Sequence, residues 1–532
     1  MCGILAFFDP NGHYKGTPEE LKKHLVALSY RQTTRGPDGS GHVGGQHWGI
    51  CHERLAIMDP EGGKQPISYQ ESDTHVCANG EIYNFRELLK KHELPDPKTG
   101  SDSESLILLY QKLGKDLVTE LNGIFGFVIA SNDGKNIFAA RDHCGIKPLY
   151  MGIGHHGERW FASELKCIVD QDCVSFEEFP AGYYWTETEG YVKWYNPVWD
   201  SDDYVPKDNG DAIRPLLEKA VRDQCMSDVP FGLLLSGGLD SAVVAVTLKP
   251  IMEEMGKEFH TFSVGMEGSP DITAARMMSK HLGTTHHEHP FNADEAFGVI
   301  EKVIYHLETY EPELIRSAIP NFFLARMTSK HVKMVLTGEG SDELFGGYLY
   351  FRDAPDSKAF QGELRRIFHH LQNVNCKRAD RMTMAHGLEA RVPFLQPDFI
   401  DAVMKIDPEY KTITKDRPAE KHALRQAFQG TMPDEVLWRT KAMQCEGIGM
   451  TWVAELQSRC NKMVSDEEFA NRAQTYPVNT PHTKEEVYYR RIFEKYYKGM
   501  DKFVHVWEGG CRAGGAAWKN EAYTREGLKD VK

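Results

Sequence analysis

Apolar residues in about the first 190 positions come in short runs, each long enough for one strand: Ile4–Phe8, Trp48–Ile57, His75–Ala78, Ile124–Ala130, Ile137–Ala140, Leu149–Ile153 and Trp160–Ala162. Turn residues separate them. Ser131-Asn132-Asp133-Gly134 reads as a hairpin, because Asp-Gly tolerates positive φ. Two stretches switch to helical spacing. Leu21, Leu25 and Leu28 follow Thr17-Pro18, a cap and a first-turn proline, and Leu106, Ile107, Leu109 and Tyr110 form a second apolar face. Strands with few helices between them predict an α+β layered unit.

The texture then changes. Residues 200–211 are acidic, turn-rich and poor in aliphatics, and read as a linker. Phe231–Leu235 is a continuous apolar run typical of a buried parallel strand, and it leads through Ser236-Gly237-Gly238-Leu239-Asp240-Ser241 into a helical stretch, Ala242–Leu248. His260–Val264 and Val332–Leu336 alternate with long helical segments, the α/β pattern, and from about residue 355 the chain reads as mainly helical. No internal repeat is present. The expected units are 2–200, 212–505 and a loosely held tail over 506–532.

Composition narrows the function classes. The 532 residues carry 62 basic and 77 acidic side chains, a net charge of −15, which excludes a nucleic-acid protein that works through a general positive field. The 11 cysteines are scattered with no Cys-x-x-Cys pair, which argues against a zinc knuckle and for a reducing cytoplasmic setting. No secretory leader and no membrane-spanning run is apparent, so no membrane partner is expected.

One cysteine stands apart. Once Met1 is removed, Cys2 carries both a thiol nucleophile and a free α-amine able to act as base near neutral pH. On position alone it is as readily a small apolar residue of a first strand. Other segments change that balance: Arg35-Gly36-Pro37-Asp38-Gly39-Ser40-Gly41, Arg54-Leu55-Ala56-Ile57, Asn79-Gly80-Glu81-Ile82-Tyr83-Asn84 and Gly100-Ser101-Asp102-Ser103-Glu104. Taken with Cys2, they resemble the class II glutamine amidotransferase domain. The resemblance implies an N-terminal-nucleophile αββα sandwich in which Cys2 attacks the glutamine amide. Arg54, with Leu55 and Ile57 beside it, would take the substrate carboxylate; Glu81 and Asp102 would hold its α-ammonium; Asn79 and Gly80 would form the oxyanion hole.

Ser236–Ser241 sits where a strand becomes a helix, a place where glycines and free N–H groups admit an anion. It lacks the Walker A ending and resembles the pyrophosphate loop of ATP pyrophosphatases. Val335-Leu336-Thr337-Gly338-Glu339-Gly340-Ser341-Asp342-Glu343 clusters carboxylates after another strand, which suits Mg²⁺. With Gly268-Ser269-Pro270-Asp271, Leu388–Leu395, Glu420-Lys421-His422 and Asn479-Thr480-Pro481, the chain over roughly residues 2–500 resembles the glutamine-hydrolysing asparagine synthetase family.

That resemblance implies an α/β synthetase domain with a parallel sheet and a helical C-terminal region, following the sandwich. ATP would be held by Leu234, Ser236, Gly237, Gly238, Asp240, Ser241, Val264, Thr337 and Gly338, and Mg²⁺ by Asp240 and Asp342. Glu339 would support a β-aspartyl adenylate and Lys441 would stabilise charge on the phosphates or on that adduct. Substrates would be L-glutamine, L-aspartate and ATP, and the enzyme would be a cytoplasmic homodimer. Two departures stand out. Ala442-Met443-Gln444-Cys445-Glu446 differs from the family's usual sequence, which leaves a β-lactam-synthetase-like acceptor as the alternative. Thr337 replaces a more usual serine but keeps the hydroxyl.

Overall fold

The computed structural model describes residues 2–414, 417–439, 451–506 and 518. Twelve strands come first: β1 (Gly3–Phe8), β2 (Gly39–Gly44), β3 (Trp48–Arg54), β4 (Ile67–Tyr69), β5 (Thr74–Ile82), β6 (Gly123–Ser131), β7 (Asn136–Arg141), β8 (Tyr150–Gly154), β9 (Arg159–Ala162), β10 (Cys173–Glu178), β11 (Tyr183–Thr186) and β12 (Gly190–Lys193). They form two six-stranded antiparallel sheets, ordered β10-β8-β9-β1-β3-β2 and β12-β11-β7-β6-β5-β4.

Alternation along each strand sets the layers. Ile4, Ala6 and Phe8 on one face of β1 meet Ile50, Cys77, Val128, Ala130 and Phe161 between the two sheets. Leu5 and Phe7 on the opposite face pack on Leu21, Leu25 and Leu28 of the helix Pro18–Ser29. Phe125, Phe127 and Ile129 of β6 face away from β1, toward the helices Phe85–Lys91 and Ser105–Leu113. The result is an αββα stack. The first helix starts as its sequence directs, with Thr17 and Glu20 closing a capping box ahead of Pro18. Asn132, Asp133 and Gly134 all adopt positive φ in the β6–β7 hairpin.

The apolar runs did not announce every strand. β2 reads Gly39-Ser40-Gly41-His42-Val43-Gly44, a turn-like composition with no buried residue, and only its pairing with β3 makes it a strand. The others missed, β4, β10, β11 and β12, are three to six residues long and only partly buried.

The second half holds a parallel five-stranded sheet, ordered β15-β14-β13-β16-β17, where β13 is Phe231–Leu234, β14 His260–Gly265, β15 Thr285–Pro290, β16 Met334–Leu336 and β17 Glu389–Arg391. From β13 the chain builds outward through β14 and β15, then returns to add β16 and β17 on the other side. The order therefore reverses between β13 and β16, the crevice where such sheets take ligands. β17 interrupts the region that reads as helical. It is three buried residues, two of them charged, and carries no strand signature of its own.

The acidic segment after β12 is tied to the second half. Trp199 is fully buried and its Nε1 donates to Asp401 Oδ1 at 2.8 Å, while the Lys207 and Asp208 N–H groups both donate to Lys405 O at 3.0 Å. The expected tail falls mostly outside the described residues; Trp518 packs on Tyr350 and Phe351 and donates to Tyr350 O at 3.2 Å.

Candidate active sites

Cys2 lies just before β1 and is held from both sides. Its backbone N–H donates to Asn79 Oδ1 at 3.0 Å, and its carbonyl accepts from Arg35 Nε at 2.9 Å. The thiol faces Leu55 O at 3.9 Å, and burial pushes it above its ordinary value. Among the described residues no side-chain base is hydrogen-bonded to Sγ. His52 on the neighbouring strand does not serve: burial lowers it to about 4, and Nε2 is engaged with Ala78 O at 3.1 Å. An α-amine exposed by removal of Met1 would be a base on the same residue.

Asn79 and Gly80 lie within β5 rather than in a turn. Asn79 spends its oxygen on Cys2, and its Nδ2 is buried with no hydrogen-bond partner among the described residues. Leaving a buried donor unpaired costs about 1–3 kcal/mol, a cost that a ligand oxygen would remove. Gly80 has φ +139, and a Cβ there would stand 1.9 Å from Ile124 O. Gly80→Ala should therefore lower stability by about 1–3 kcal/mol and impair the Cys2 site, as thermal unfolding and glutamine hydrolysis would show.

Two carboxyls lie buried near this pair. Asp102 Oδ2 accepts the Ile82 N–H at 2.7 Å, and burial pushes its carboxyl up to about 6. Glu81 is pushed well above the usual range by burial and then by the charge of Asp102. Its Oε1 lies 3.4 Å from Arg391 Nη2, and its Oε2 has no partner among the described residues. Two desolvated, mutually repelling carboxyls suit a cationic ligand. Arg54 is turned to a local task. Nη1 donates to Pro60 O at 2.9 Å and Nη2 to Met58 O at 3.1 Å and Asp59 O at 2.6 Å, so it shapes the loop after Ile57. Leu55 and Ile57 are buried in the apolar cluster that also contains Leu344, Val392 and Leu395 of the second half.

The second site sits at the sheet reversal. Ser236 N–H donates to Ser241 Oγ at 3.1 Å, the two hydroxyls are 3.0 Å apart, and Ser241 Oγ donates to Gly238 O at 3.1 Å. This closes the loop between β13 and the helix Leu239–Glu254. Gly237 has φ +75, and a Cβ would meet Ala275 N at 2.5 Å; a Cβ on Gly338 would meet the backbone of Asp240 and Ser241 at 2.8 Å. Thus β16 and the loop approach closely only because Gly338 has no side chain. Leu234 ends β13 and Val264 is the penultimate residue of β14 beside it, and Thr337 N–H donates to Arg391 O at 2.9 Å.

The two carboxylates expected to share a cation do converge. Lys421 Nζ lies 2.5 Å from Asp240 Oδ1 and 2.7 Å from Asp342 Oδ1. An ammonium at that point shows that both oxygens can address one positive charge, so the donor set fits Mg²⁺ beside phosphate oxygens. Glu339 is clamped separately: its Oε1 accepts from Asn375 Nδ2 at 2.6 Å and from Arg378 Nη2 at 2.7 Å, and Oε2 accepts from Arg378 at 2.9 Å. Lys441 and the divergent 442–446 segment lie outside the described residues. Just before them, Arg439 donates to Gly237 O at 3.1 Å and to Asp271 Oδ1 at 2.6 Å.

Sequence reasoning gave no role to Arg35, Asn375, Arg378, Lys421 or Arg439. Arg35 and Lys421 lie inside motif segments, but Arg35 pairs with Asp380 and Lys421 with Asp240 and Asp342, all far away in sequence, and no local spacing reveals such partners.

Similarity to known proteins agrees with this geometry. A family model described as "Asparagine synthase" matches residues 212–361 and 352–520, and one described as "Glutamine amidotransferase domain" matches 1–181. The chain is 43% identical over 517 residues to "Asparagine synthetase [glutamine-hydrolyzing] 2" of Arabidopsis thaliana, covering 93% of this chain and 88% of that one. It is 44% identical over 515 residues to "Asparagine synthetase [glutamine-hydrolyzing] 3" of the same plant, covering 93% and 88%. It is 42% identical over 529 residues to "Asparagine synthetase [glutamine-hydrolyzing]" of Sandersonia aurantiaca, covering 96% and 98%. Two catalytic constellations, one on an αββα stack and one on a parallel sheet, therefore belong to a member of the glutamine-hydrolysing asparagine synthetase family.

Proposed function

We propose that this chain converts L-aspartate, L-glutamine, ATP and water to L-asparagine, L-glutamate, AMP and diphosphate. The observation that carries the reading is likeness to enzymes of that name over 93% of the chain, with a nucleophile site and a nucleotide-type loop both in place. The relatives reported above are all named for the asparagine-forming reaction, so a β-lactam-synthetase-like acceptor has only the 442–446 segment in its favour.

In the first half-reaction the free α-amine of Cys2 takes the thiol proton and Sγ adds to the side-chain amide carbon. The developing oxyanion finds Asn79 Nδ2, which needs no reorganisation because it is already buried and unpaired. Ammonia leaves, and water cleaves the γ-glutamyl thioester to glutamate. Glu81 and Asp102 hold the substrate's α-ammonium, and Arg54, with Leu55 and Ile57 beside it, serves its carboxylate. In the second half-reaction the Ser236–Ser241 loop, Thr337 and Gly338 hold ATP between β13 and β16, with Leu234 and Val264 lining the nucleotide. The aspartate β-carboxylate attacks the α-phosphorus, diphosphate leaves, and ammonia displaces AMP from the adenylate. Mg²⁺ held by Asp240 and Asp342 would neutralise phosphate charge. Glu339, fixed by Asn375 and Arg378, is placed to take a proton from the attacking ammonia. Lys441 is assigned by resemblance to stabilising charge on the phosphates or the adenylate. A passage for neutral ammonia between the sites would be lined by the apolar cluster joining Leu55, Ile57, Cys144 and Ile146 to Leu344 and Leu395.

The catalytic units proposed are 2–200 and 212–505, with 506–532 as tail, in a cytoplasmic homodimer. Among the described residues no helix is long and apolar enough to cross a membrane.

A pH dependence follows from Asp102. Its carboxyl, raised to about 6, must be ionised to attract the ammonium. Glutamine affinity should hold above that pH and fall by up to about tenfold per unit below it. The KM for glutamine hydrolysis measured from pH 5 to 8 checks this, and Asp102→Asn should weaken binding and flatten the profile. Purified protein given the three substrates tests the reading as a whole: asparagine, AMP and diphosphate support it, and diphosphate release only with another carboxylate overturns it.

A further inference from the structure

The boundary between the two halves buries a group of six charges. From the first half come Arg35, Glu164 and Lys166; from the second come Glu308, Asp380 and Arg381. Arg35 grips Asp380 with both arms, Nη1 at 2.8 Å from Oδ2 and Nη2 at 3.1 Å from Oδ1, and Nη1 also reaches Glu164 Oε1 at 3.1 Å. Arg381 reaches the same Glu164 oxygen at 3.1 Å and Glu308 Oε2 at 3.1 Å, while Lys166 lies 2.7 Å from Glu164 Oε2. Glu308 also accepts the backbone N–H groups of Leu165 and Lys166, at 3.0 and 2.9 Å. Although burial disfavours its charge, Lys166, Arg381 and Arg35 hold the Glu164 carboxyl well below the usual range. All six side chains are at most 4% exposed, so any shift that unpairs one of them leaves a charge uncompensated in a dry interior.

The group touches each catalytic constellation through one element. Arg35 Nε holds the carbonyl of Cys2 at 2.9 Å. Asp380 and Arg381 belong to the ten-residue helix Asn375–Met384, about 15 Å long. The same helix carries Asn375 and Arg378, one turn apart, which clamp Glu339. One helix thus grips the synthetase carboxylate from its first turn and, just past its middle, the arginine that holds the Cys2 carbonyl.

We propose that Asp380 is a positioning residue that couples the two sites. Engagement of Glu339 by the nucleotide and aspartate is transmitted through the helix Asn375–Met384 and the Arg35–Asp380 pair to the backbone of Cys2, which changes the affinity of the first site for glutamine. By reciprocity, glutamine changes the affinity of the second site by the same factor. The inference rests on the function proposed above, since it needs glutamine at Cys2 and ATP with aspartate at Glu339.

The test uses the full chain in a Cys2→Ala background, which binds glutamine without consuming it and keeps the carbonyl that Arg35 holds. Calorimetry gives the Kd for glutamine with and without aspartate, Mg²⁺ and a non-hydrolysable ATP analogue. The expected shift between the two conditions is about fivefold or more when Asp380 is present. It should vanish in Asp380→Asn and return in part in Asp380→Glu, while Asp380→Asn on the parent chain keeps ammonia-dependent synthesis. Should Asp380→Asn fail to fold, Glu308→Gln removes one of the two carboxylates that Arg381 of the same helix holds, and carries the same expectation. A shift that persists in the folded variant, or a factor of one with Asp380 present, overturns the coupling. Absence of glutamine binding under every condition would instead overturn the functional reading beneath it.

Discussion

Cys2→Ala should abolish glutamine-dependent asparagine formation and leave ammonia-dependent formation close to the parent rate. In the proposed mechanism the thiol is the nucleophile, and among the described residues no side chain hydrogen-bonded to it could take over. Loss of an activated nucleophile typically removes several orders of magnitude in rate, so a fall of at least about 10³-fold is expected. The fold should tolerate the change. The backbone clamps from Asn79 and Arg35 do not involve the side chain, and truncating one small buried residue costs about 1 kcal/mol. Paired assays with glutamine or an ammonium salt as nitrogen source, with Tm as control, check it. Loss of both activities in a folded variant would break the division of labour, and survival of the glutamine-dependent reaction would remove Cys2 from its role.

Glu339→Gln should have the reverse pattern. Synthesis from either nitrogen source should fall by about 10²–10³-fold, while glutamine hydrolysis at Cys2 in the absence of ATP and aspartate persists. Glutamine keeps the size and the oxygen that Asn375 approaches, but it removes the charge that faces Arg378 across 2.7 Å. Some stability should go with it, about 1–3 kcal/mol, because Arg378 is left with a neutral partner. Following ATP–pyrophosphate exchange locates the defect. Normal exchange together with normal asparagine formation would show that Glu339 does not act where it is placed.

Local pattern carried much of the fold. The short apolar runs Ile4–Phe8 and Ile124–Ala130 marked strands of a layered α+β unit, whose αββα stacking came only from the family resemblance, and the run ending in Ser236–Ser241 marked the strand–loop–helix of the second site. Both are short-range features, so a single sequence displays them. β2 and β17 were hidden because they are strands by pairing alone, one glycine-rich and one highly charged. The same reason hid Arg35, Asn375, Arg378 and Lys421. Each is defined by a partner brought near through tertiary folding, and a lone arginine or lysine in sequence reads as a solvated charge. Arg54 shows the opposite difficulty. Its place in a motif implies a direct ligand of a carboxylate, and no local spacing shows that its two terminal nitrogens also brace the carbonyls of Met58, Asp59 and Pro60. The Asp240–Asp342 pair is subtler again. The residues converge as the chemistry requires, but the Lys421 ammonium already lies between them and offsets one of their two charges, so a metal there would have to share the pair with an ammonium or displace it.

The most direct measurement gives the purified protein glutamine isotopically labelled in its amide nitrogen, with unlabelled aspartate, ATP and Mg²⁺, and follows the products by mass spectrometry. The expected result is asparagine bearing the label in its side-chain amide, with AMP and diphosphate formed in equal amounts to it. Unlabelled asparagine, or ADP and phosphate in place of AMP and diphosphate, would contradict the two-site reaction.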